Sequence, residues 1–333
     1  MSEFRRNPVF GNWIIIDTER NFSQEKHSVE NGVEKSDTAY CPFCPGNESM
    51  TKPEILAFSN NPHRYPNTGD WKLRVVPNNK PILQVESAIK RQAYGIYDKM
   101  EGAGAHEIII ESPQHDLQFK NAPLEYYENA YKAAISRVRD LRNDIRFEHI
   151  FYMKKYGSHG NYPIGSHPHS QIIALPIVPK QVNEELDGAL RYFNYKERCV
   201  FCDIILQEID DGIRIIAENE SFIALCPYAS RYPFEVRIMP KTHKSDFDLI
   251  SDAEMSALAN ITKTVQTKYS LVLDDCPGTI LVHTAPLKKR NLSYYHWYLE
   301  IIPEIAVLGN IDKGTGLFVN PIFPEDAAKH LKG

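Results

Sequence analysis

The chain carries one ordered set of cysteines and histidines twice, and this constrains its fold more than any other feature. Cys41-Pro-Phe-Cys44 is followed by His115 and then His167. Cys199-Val-Phe-Cys202 is followed by His243 and then His296. The last interval is 52 residues in the first half and 53 in the second. The flanking residues recur as well. Glu107-Ile-Ile-Ile leads through Pro113 to His115, and Glu235-Val-Arg-Ile leads through Pro240 to His243. Arg74-Val-Val-Pro-Asn-Asn-Lys-Pro81 has a looser counterpart in Leu225-Cys-Pro-Tyr-Ala-Ser-Arg-Tyr-Pro233. At 333 residues the chain has room for two such units, each with its own core. The boundary is expected near 178–196, where Pro179, Val182-Asn-Glu-Glu185 and Asp187-Gly188 have linker character.

Each half reads as strands, a helix, then strands ending near the last histidine. In the first half, Asn121 and Pro123 suit a helix start, and Tyr131, Ile135, Val138 and Leu141 form one stripe. In the second, Ser251 and Glu254 have capping-box spacing ahead of Met255, Leu258, Ile261 and Val265. β-rich runs follow each helix, Ile150 to Met153 and Gly278 to His283. The order predicts an α+β fold with mainly antiparallel sheets and flanking helices.

Two thiolates and two imidazoles per half suit a tetrahedral divalent metal such as zinc. The alternative is a set of buried thiols beside core histidines. Four protein ligands leave no open position, so both sites read as structural. Zinc is expected at one or two sites per chain, with iron as the alternative in one.

His167-Pro-His169-Ser-Gln171 precedes an apolar run, Ile172 to Pro176, that reads as a buried strand. Alternation places His167, His169 and Gln171 on one face. Two imidazoles and an amide together are poor core material, since each buried polar group needs a partner. They suit a site that orients and attacks a phosphate. Aligning His167 with His296 puts Tyr298 at the position of His169 and Glu300 at that of Gln171. The repeat therefore predicts one reactive centre per chain, with a second half serving scaffold or recognition.

Composition excludes several classes. A net charge of −5 argues against a nucleic-acid scaffold. No apolar run is long enough to span a bilayer. Six cysteines, four of them in Cys-x-x-Cys pairs without a secretory leader, favour a cytoplasmic protein whose thiols bind metal.

Taken together, these motifs resemble the galactose-1-phosphate uridylyltransferase family of the histidine-triad superfamily, including its ADP-glucose phosphorylase-like branch. The similarity runs from Phe4-Arg-Arg-Asn-Pro-Val9 and Trp13 through Cys41-Pro-Phe-Cys-Pro-Gly-Asn-Glu48, Arg74-Val-Val-Pro-Asn78 and His167-Pro-His-Ser-Gln171. It continues to His296-Trp-Tyr-Leu-Glu-Ile-Ile-Pro303 and Gly314-Thr-Gly316. The resemblance implies tandem histidine-triad-like domains, 1–180 catalytic and 196–333 lacking the nucleophile. It implies exchange of a nucleoside monophosphate between a nucleotide sugar and a sugar phosphate, with UDP-hexose and galactose 1-phosphate as the default pair. His169 would be the nucleophile and Gln171 its phosphate partner. Asn78 would contact the nucleoside, and Arg20 the phosphates across a homodimer interface. Lys155, Gly157 and Ser166 would flank the phosphates, and Asp312 would stand where the family grips the hexose with Glu. Lys155 replaces the family's Asn, and the 158–166 run is one residue longer than usual. Inorganic phosphate as acceptor, hydrolysis, and metal-stabilised nucleotide binding without turnover are the alternatives.

Overall fold

The computed structural model describes residues 2–19, 38–157, 167–274, 276–305 and 311–333. Strands β1 (Glu3–Arg6) and β2 (Trp13–Ile16) open the chain as an antiparallel pair. The first half continues with β3 (Leu56–Phe58), β4 (Leu73–Pro77), the exposed hairpin β5 (Arg91–Tyr94) and β6 (Tyr97–Met100), and β7 (Ala105–Ile110). Helix α1 (Leu124–Leu141) precedes β8 (His149–Tyr156) and β9 (His169–Leu175). Helices α2 (Lys180–Lys196) and α3 (Val200–Asp211) lead into the second half. There β10 (Ile215–Glu218), β11 (Phe222–Leu225) and β12 (Val236–Pro240) are followed by α4 (Asp252–Leu273), β13 (Gly278–His283) and β14 (Tyr298–Pro303). The chain closes with α5 (Ile311–Thr315), β15 (Phe318–Asn320) and α6 (Pro324–Lys332).

The repeat seen in the sequence is a repeat of sheet order. Ten strands form one antiparallel sheet in the order β10-β11-β12-β14-β13-β8-β9-β7-β4-β3. Each half contributes five strands in the same internal order. The seam is β13 against β8, in register from Gly278↔Tyr156 to Val282↔Tyr152. Gly278 is required there, because a Cβ on it would lie 2.3 Å from the Tyr156 hydroxyl.

Helices α1 and α4 pack together over one face of this sheet, and Tyr131 and Thr262 hydrogen-bond between them at 3.0 Å. The expected stripe of α1 is buried, as are Leu258, Ile261 and Val265 of α4. The capping box forms: the Glu254 N–H donates to Ser251 Oγ at 3.3 Å, and the Ser251 N–H donates to Glu254 Oε2 at 2.7 Å. Tyr295, Trp297 and Tyr298 are fully buried, so the aromatic run before β14 is core.

The segment that carries the expected boundary near 178–196 is the helix α2. Val182, Leu186 and Ala189 repeat at helical spacing and pack on the second half's cluster. Pro179 takes the N-cap position, which needs no N–H bond within the helix. Gly188 does not break the helix. It lets the backbone of Val9 approach so closely that a Cβ would fall 1.9 Å from the Val9 carbonyl oxygen.

Candidate active site and metal centres

Cys41 and Cys44 from one turn, His115 and His167 converge from three segments into one buried cluster. Their separations test whether a metal fits. Zn–S and Zn–N bonds of about 2.3 and 2.0–2.1 Å at tetrahedral angles place sulfur and nitrogen ligands about 3.6 Å apart, and two nitrogens about 3.3–3.4 Å apart. The Sγ···Nδ1 distances are 3.2 Å (Cys44–His115), 3.6 Å (Cys44–His167) and 3.7 Å (Cys41–His167), and the two histidine Nδ1 atoms are 3.3 Å apart. The four groups have the spacing of a tetrahedral ion's edges. His167 Nε2 donates to the Ser112 carbonyl at 2.8 Å, which fixes the tautomer and leaves the Nδ1 lone pair facing the cluster. Burial holds the His167 pKa down at about 4, so the ring is neutral, as a ligand must be. Burial and the neighbouring Cys41 push the Cys44 thiol up to about 12, so its thiolate needs a cation beside it.

The second cluster repeats this design. Cys202 Sγ lies 3.3 Å from His243 Nδ1 and 3.8 Å from His296 Nδ1. His243 and His296 donate their Nε2–H groups to the carbonyls of Leu292 and Pro240 at 2.9 and 2.8 Å. It differs in access: Cys199 and His296 are buried, but Cys202 is half-buried and His243 exposed. Both groups can hold a metal ion.

Two residues beyond His167, the strand β9 begins with His169. Its Nδ1–H donates to the His167 carbonyl at 2.9 Å, so Nε2 carries the lone pair. Burial lowers the pKa of this imidazole, and the charge of Lys154 acts in the same direction. The ring is thus a neutral imidazole with an unprotonated Nε2, held through the backbone of His167. It opens on a cavity of about 360 Å³, lined in part by Met153, Lys155, Gly157, His167 and Gln171. Lys155 also lies 3.7 Å from Glu304. Gly157 has φ +86°, and a Cβ there would sit 2.5 Å from the Pro277 backbone.

Gln171 is oriented by His106 of β7. The Ile82 N–H donates to His106 Nδ1 at 3.3 Å, so His106 carries its proton on Nε2 and donates it to Gln171 Oε1 at 2.8 Å. That contact turns the amide N–H₂ of Gln171 away from His106. Asn78 lies beside the pair, with Nδ2 3.1 Å from His106 Nε2. Only the placement of His106 on β7, opposite Ile173 of β9, shows this role. Glu111, Tyr126 and Lys154 form a second buried group whose members come from three separate segments, which no sequence spacing connects.

Among the other expected site residues, Asp312 lies on α5 and is not one of the residues lining the His169 cavity. Arg20 and Ser166 fall outside the described residues. In the second half, Tyr298 occupies the position of His169 and is fully buried. Its hydroxyl donates to Glu185 Oε1 of α2 at 2.6 Å, and Tyr295 donates to Oε2 at 2.9 Å. His283 stacks on Tyr298 at 4.3 Å and contacts Glu300 Oε2 at 3.1 Å. The linker helix fills the face that in the first half remains open.

Comparison with known proteins agrees with this geometry. Residues 1–179 match the galactose-1-phosphate uridyl transferase N-terminal domain, and residues 185–307 match the C-terminal domain of the same family. An ADP-glucose phosphorylase of Arabidopsis thaliana is 32% identical over 337 residues, covering 99% of this chain and 92% of the relative. A galactose-1-phosphate uridylyltransferase of Thermotoga maritima is 27% identical over 341 residues, covering 100% and 98%. The crystal structure of an Arabidopsis ADP-glucose phosphorylase with bound ADP-glucose superposes with a TM-score of 0.81 at 30% identity, covering 100% of this chain and 99% of that one. The metal-type clusters, the histidine that follows the first of them and the matched domains lead to one conclusion: this chain belongs to the galactose-1-phosphate uridylyltransferase family of nucleotidyltransferases.

Proposed function

We propose that the protein moves a nucleoside monophosphate between phosphate-bearing partners through a nucleotidyl-His169 intermediate. The observation that carries this reading is the His169 Nδ1–H bond to the His167 carbonyl, which leaves Nε2 as the attacking atom. Nε2 attacks the α-phosphorus of a nucleotide sugar. An N–P bond forms as the bond to the sugar phosphate oxygen breaks, and the sugar 1-phosphate leaves. The ring then carries positive charge, which the His167 carbonyl stabilises at Nδ1. A phosphate oxygen of the acceptor attacks the same phosphorus, and the N–P electron pair returns to Nε2. The Gln171 amide donates to a non-bridging oxygen as charge shifts. Zinc held by Cys41, Cys44, His115 and His167 would clamp the backbone that positions His169, and a second ion would sit on Cys199, Cys202, His243 and His296. Residues 1–180 form the catalytic half and 196–333 the half without a nucleophile. Asn78 would contact the nucleoside, and Lys155, Gly157 and Ser166 would flank the phosphates. In a cytoplasmic homodimer, Arg20 and Asp312 reach the partner's site.

UDP-hexose and galactose 1-phosphate are the default substrates. A second reading, ADP-glucose with inorganic phosphate as acceptor, is favoured by the Arabidopsis phosphorylase at 32% identity. One experiment tests both. The protein is mixed with UDP-glucose or ADP-glucose without acceptor, and release of glucose 1-phosphate is followed. A burst of one equivalent per chain is expected with the true donor. Competing labelled phosphate against galactose 1-phosphate then identifies the acceptor. Steady release of free nucleoside monophosphate, with no burst, would mark a hydrolase instead.

A further inference from the structure

The imidazole of His106 is buried and held on three sides. The Ile82 N–H meets Nδ1, Gln171 Oε1 meets Nε2, and Asn78 covers one face of the ring. The last contact follows from two distances. Asn78 Nδ2 is 3.1 Å from His106 Nε2 and 3.5 Å from Nδ1. An approach in the ring plane to one nitrogen would leave the other much farther away, so the amide lies over the ring. The Lys80 N–H donates to Asn78 Oδ1 at 2.9 Å, which turns the Asn78 N–H₂ toward the imidazole. The Asn78 backbone N–H donates to the His106 carbonyl at 2.8 Å. The 78–82 segment thus grips His106 by backbone and side chain, and His106 in turn grips Gln171.

Strand register puts these contacts on the reactive face. In the β7–β9 pair, His106 stands opposite Ile173 and Ile110 opposite His169, so His106 shares a face with Gln171 and His169. An amide has two ends of similar shape, and only one can donate to a phosphoryl oxygen. With Nδ1 occupied by the Ile82 N–H, His106 can only donate at Nε2, and Gln171 must present its N–H₂ elsewhere. The second half has no such pair. Val236 stands opposite Ile301 and Arg237 opposite Glu300, so Glu235 and Glu300 hold the sheet positions of His106 and Gln171. Arg237 bridges these two carboxylates at 3.2 and 3.4 Å. The neutral donor and its amide accompany the half that carries the nucleophile.

We propose that His106 is a positioning residue that ties nucleoside recognition at 78–82 to phosphate recognition by Gln171, so that the nucleoside is read in the rate at which His169 is loaded. This rests on the nucleotidyl-histidine reading, in which Asn78 contacts the nucleoside and Gln171 an oxygen on the α-phosphorus. His106 keeps its Nε2 proton throughout and does not touch the reacting atoms. A nucleoside seated on Asn78 holds that amide over the ring, and the ring holds Gln171 Oε1. The Gln171 N–H₂ then meets the oxygen on which charge grows. A nucleoside that leaves Asn78 unseated loosens the same contacts, and the cost falls on the rate of loading more than on binding.

The test follows single-turnover loading with uridine and adenosine 5′-phosphorimidazolides. The bond from phosphorus to His169 Nε2 forms as the bond to imidazole breaks, and the expelled imidazole takes a proton from water. His106→Asn keeps an oxygen for the Ile82 N–H, but its side chain stops short of Gln171. With the faster nucleoside, the maximal loading rate of H106N is expected to fall about tenfold, while the half-saturating concentration changes less than about twofold. The rate ratio between the two nucleosides should narrow. His106→Gln, whose amide reaches Gln171, is expected to recover most of the rate. Added to Gln171→Ala, H106N is expected to cause no further loss. Equal loading of the two nucleosides by wild type, loading of H106N at the wild-type rate, an equal loss with both nucleosides, or a loss undiminished in the Q171A background overturns the proposal. If H106N does not fold, ¹⁵N NMR of the wild-type histidines reads the tautomer. A proton on His106 Nε2 supports the arrangement, and a proton on Nδ1 overturns it. A wild type that neither imidazolide nor any nucleotide sugar loads removes the underlying reading as well, and is distinguishable because loading itself fails.

Discussion

The two halves share a five-stranded order and a four-ligand cluster, yet they treat the strand that follows in opposite ways. In the first half, β9 presents His169 and Gln171 to a cavity. In the second, β14 presents Tyr298 and Glu300 to the underside of α2, where Glu185, His283 and Arg231 satisfy them. The scaffold is duplicated, but the open face is not. A reactive residue needs both the right side chain and a neighbour that leaves room for substrate. Here the connector between the halves removes that room on one side only.

The strongest way to break this contrast is to swap the key residues. His169→Gly is expected to reduce exchange by at least about a thousandfold, as loss of a covalent nucleophile does. Tyr298→His is expected to create no second nucleotidylation site, because the new ring would lie under Glu185. Peptide mapping after incubation with donor checks both. An adduct on residue 298 would show that residue identity alone makes the site.

Metal removal sharpens the comparison next. Chelator is expected to strip the second centre first, since His243 is exposed and the first cluster is the more buried of the two. Metal analysis alongside activity should show the first ion lost without loss of exchange. Cys44→Ser should lower exchange by on the order of 10–100-fold through displaced His167. Cys202→Ser should lower the melting temperature while exchange persists. Equal loss of activity in the two variants would mean that both centres position the reactive strand.

A smaller effect is expected with pH. Burial disfavours a charged His283, but hydrogen bonds to Glu185 of α2 and Glu300 of β14 prevail and raise its pKa to about 9. The neighbouring His149 on β8 is held at about 4, chiefly by burial, and stays neutral. Arg237 of β12 also faces the pair of carboxylates. A histidine whose folded pKa exceeds its unfolded value of about 6.5 adds stability that is complete below 6.5 and lost as pH rises through 9. Melting temperatures of wild type should therefore fall between pH 6.5 and 9 more steeply than those of His283→Gln. Parallel curves would show that the second half's charged cluster is not held by this ring. Smallest of all, Ser251→Ala should cost about 1 kcal/mol by removing the α4 cap, with exchange unchanged.

Much of this contrast was legible in the sequence, because it rests on residue identity in a repeated order. The ligand sets and the missing second imidazole needed only the two histidine motifs to be aligned. The capping box of α4 and the stripe of α1 followed from local chemistry and helical period. What could not be read was cross-strand proximity. His106 meets Gln171 across 65 residues, and Lys154 meets Glu111 across 43, and no spacing rule connects either pair. The helix α2 was hidden by Pro179, Gly188 and its acidic residues, which resemble a linker until Val9 and Tyr298 are seen to pack on it.

Everything turns on one imidazole accepting a nucleoside monophosphate while its counterpart in the duplicate cannot. The direct measurement is to mix the protein with a donor labelled at the α-phosphate, quench, and count labelled phosphoramidate per chain by intact mass and peptide mapping. One label per chain, on His169, is the predicted result. No acid-labile label with any nucleotide sugar, or a label carried in the second half, would contradict it.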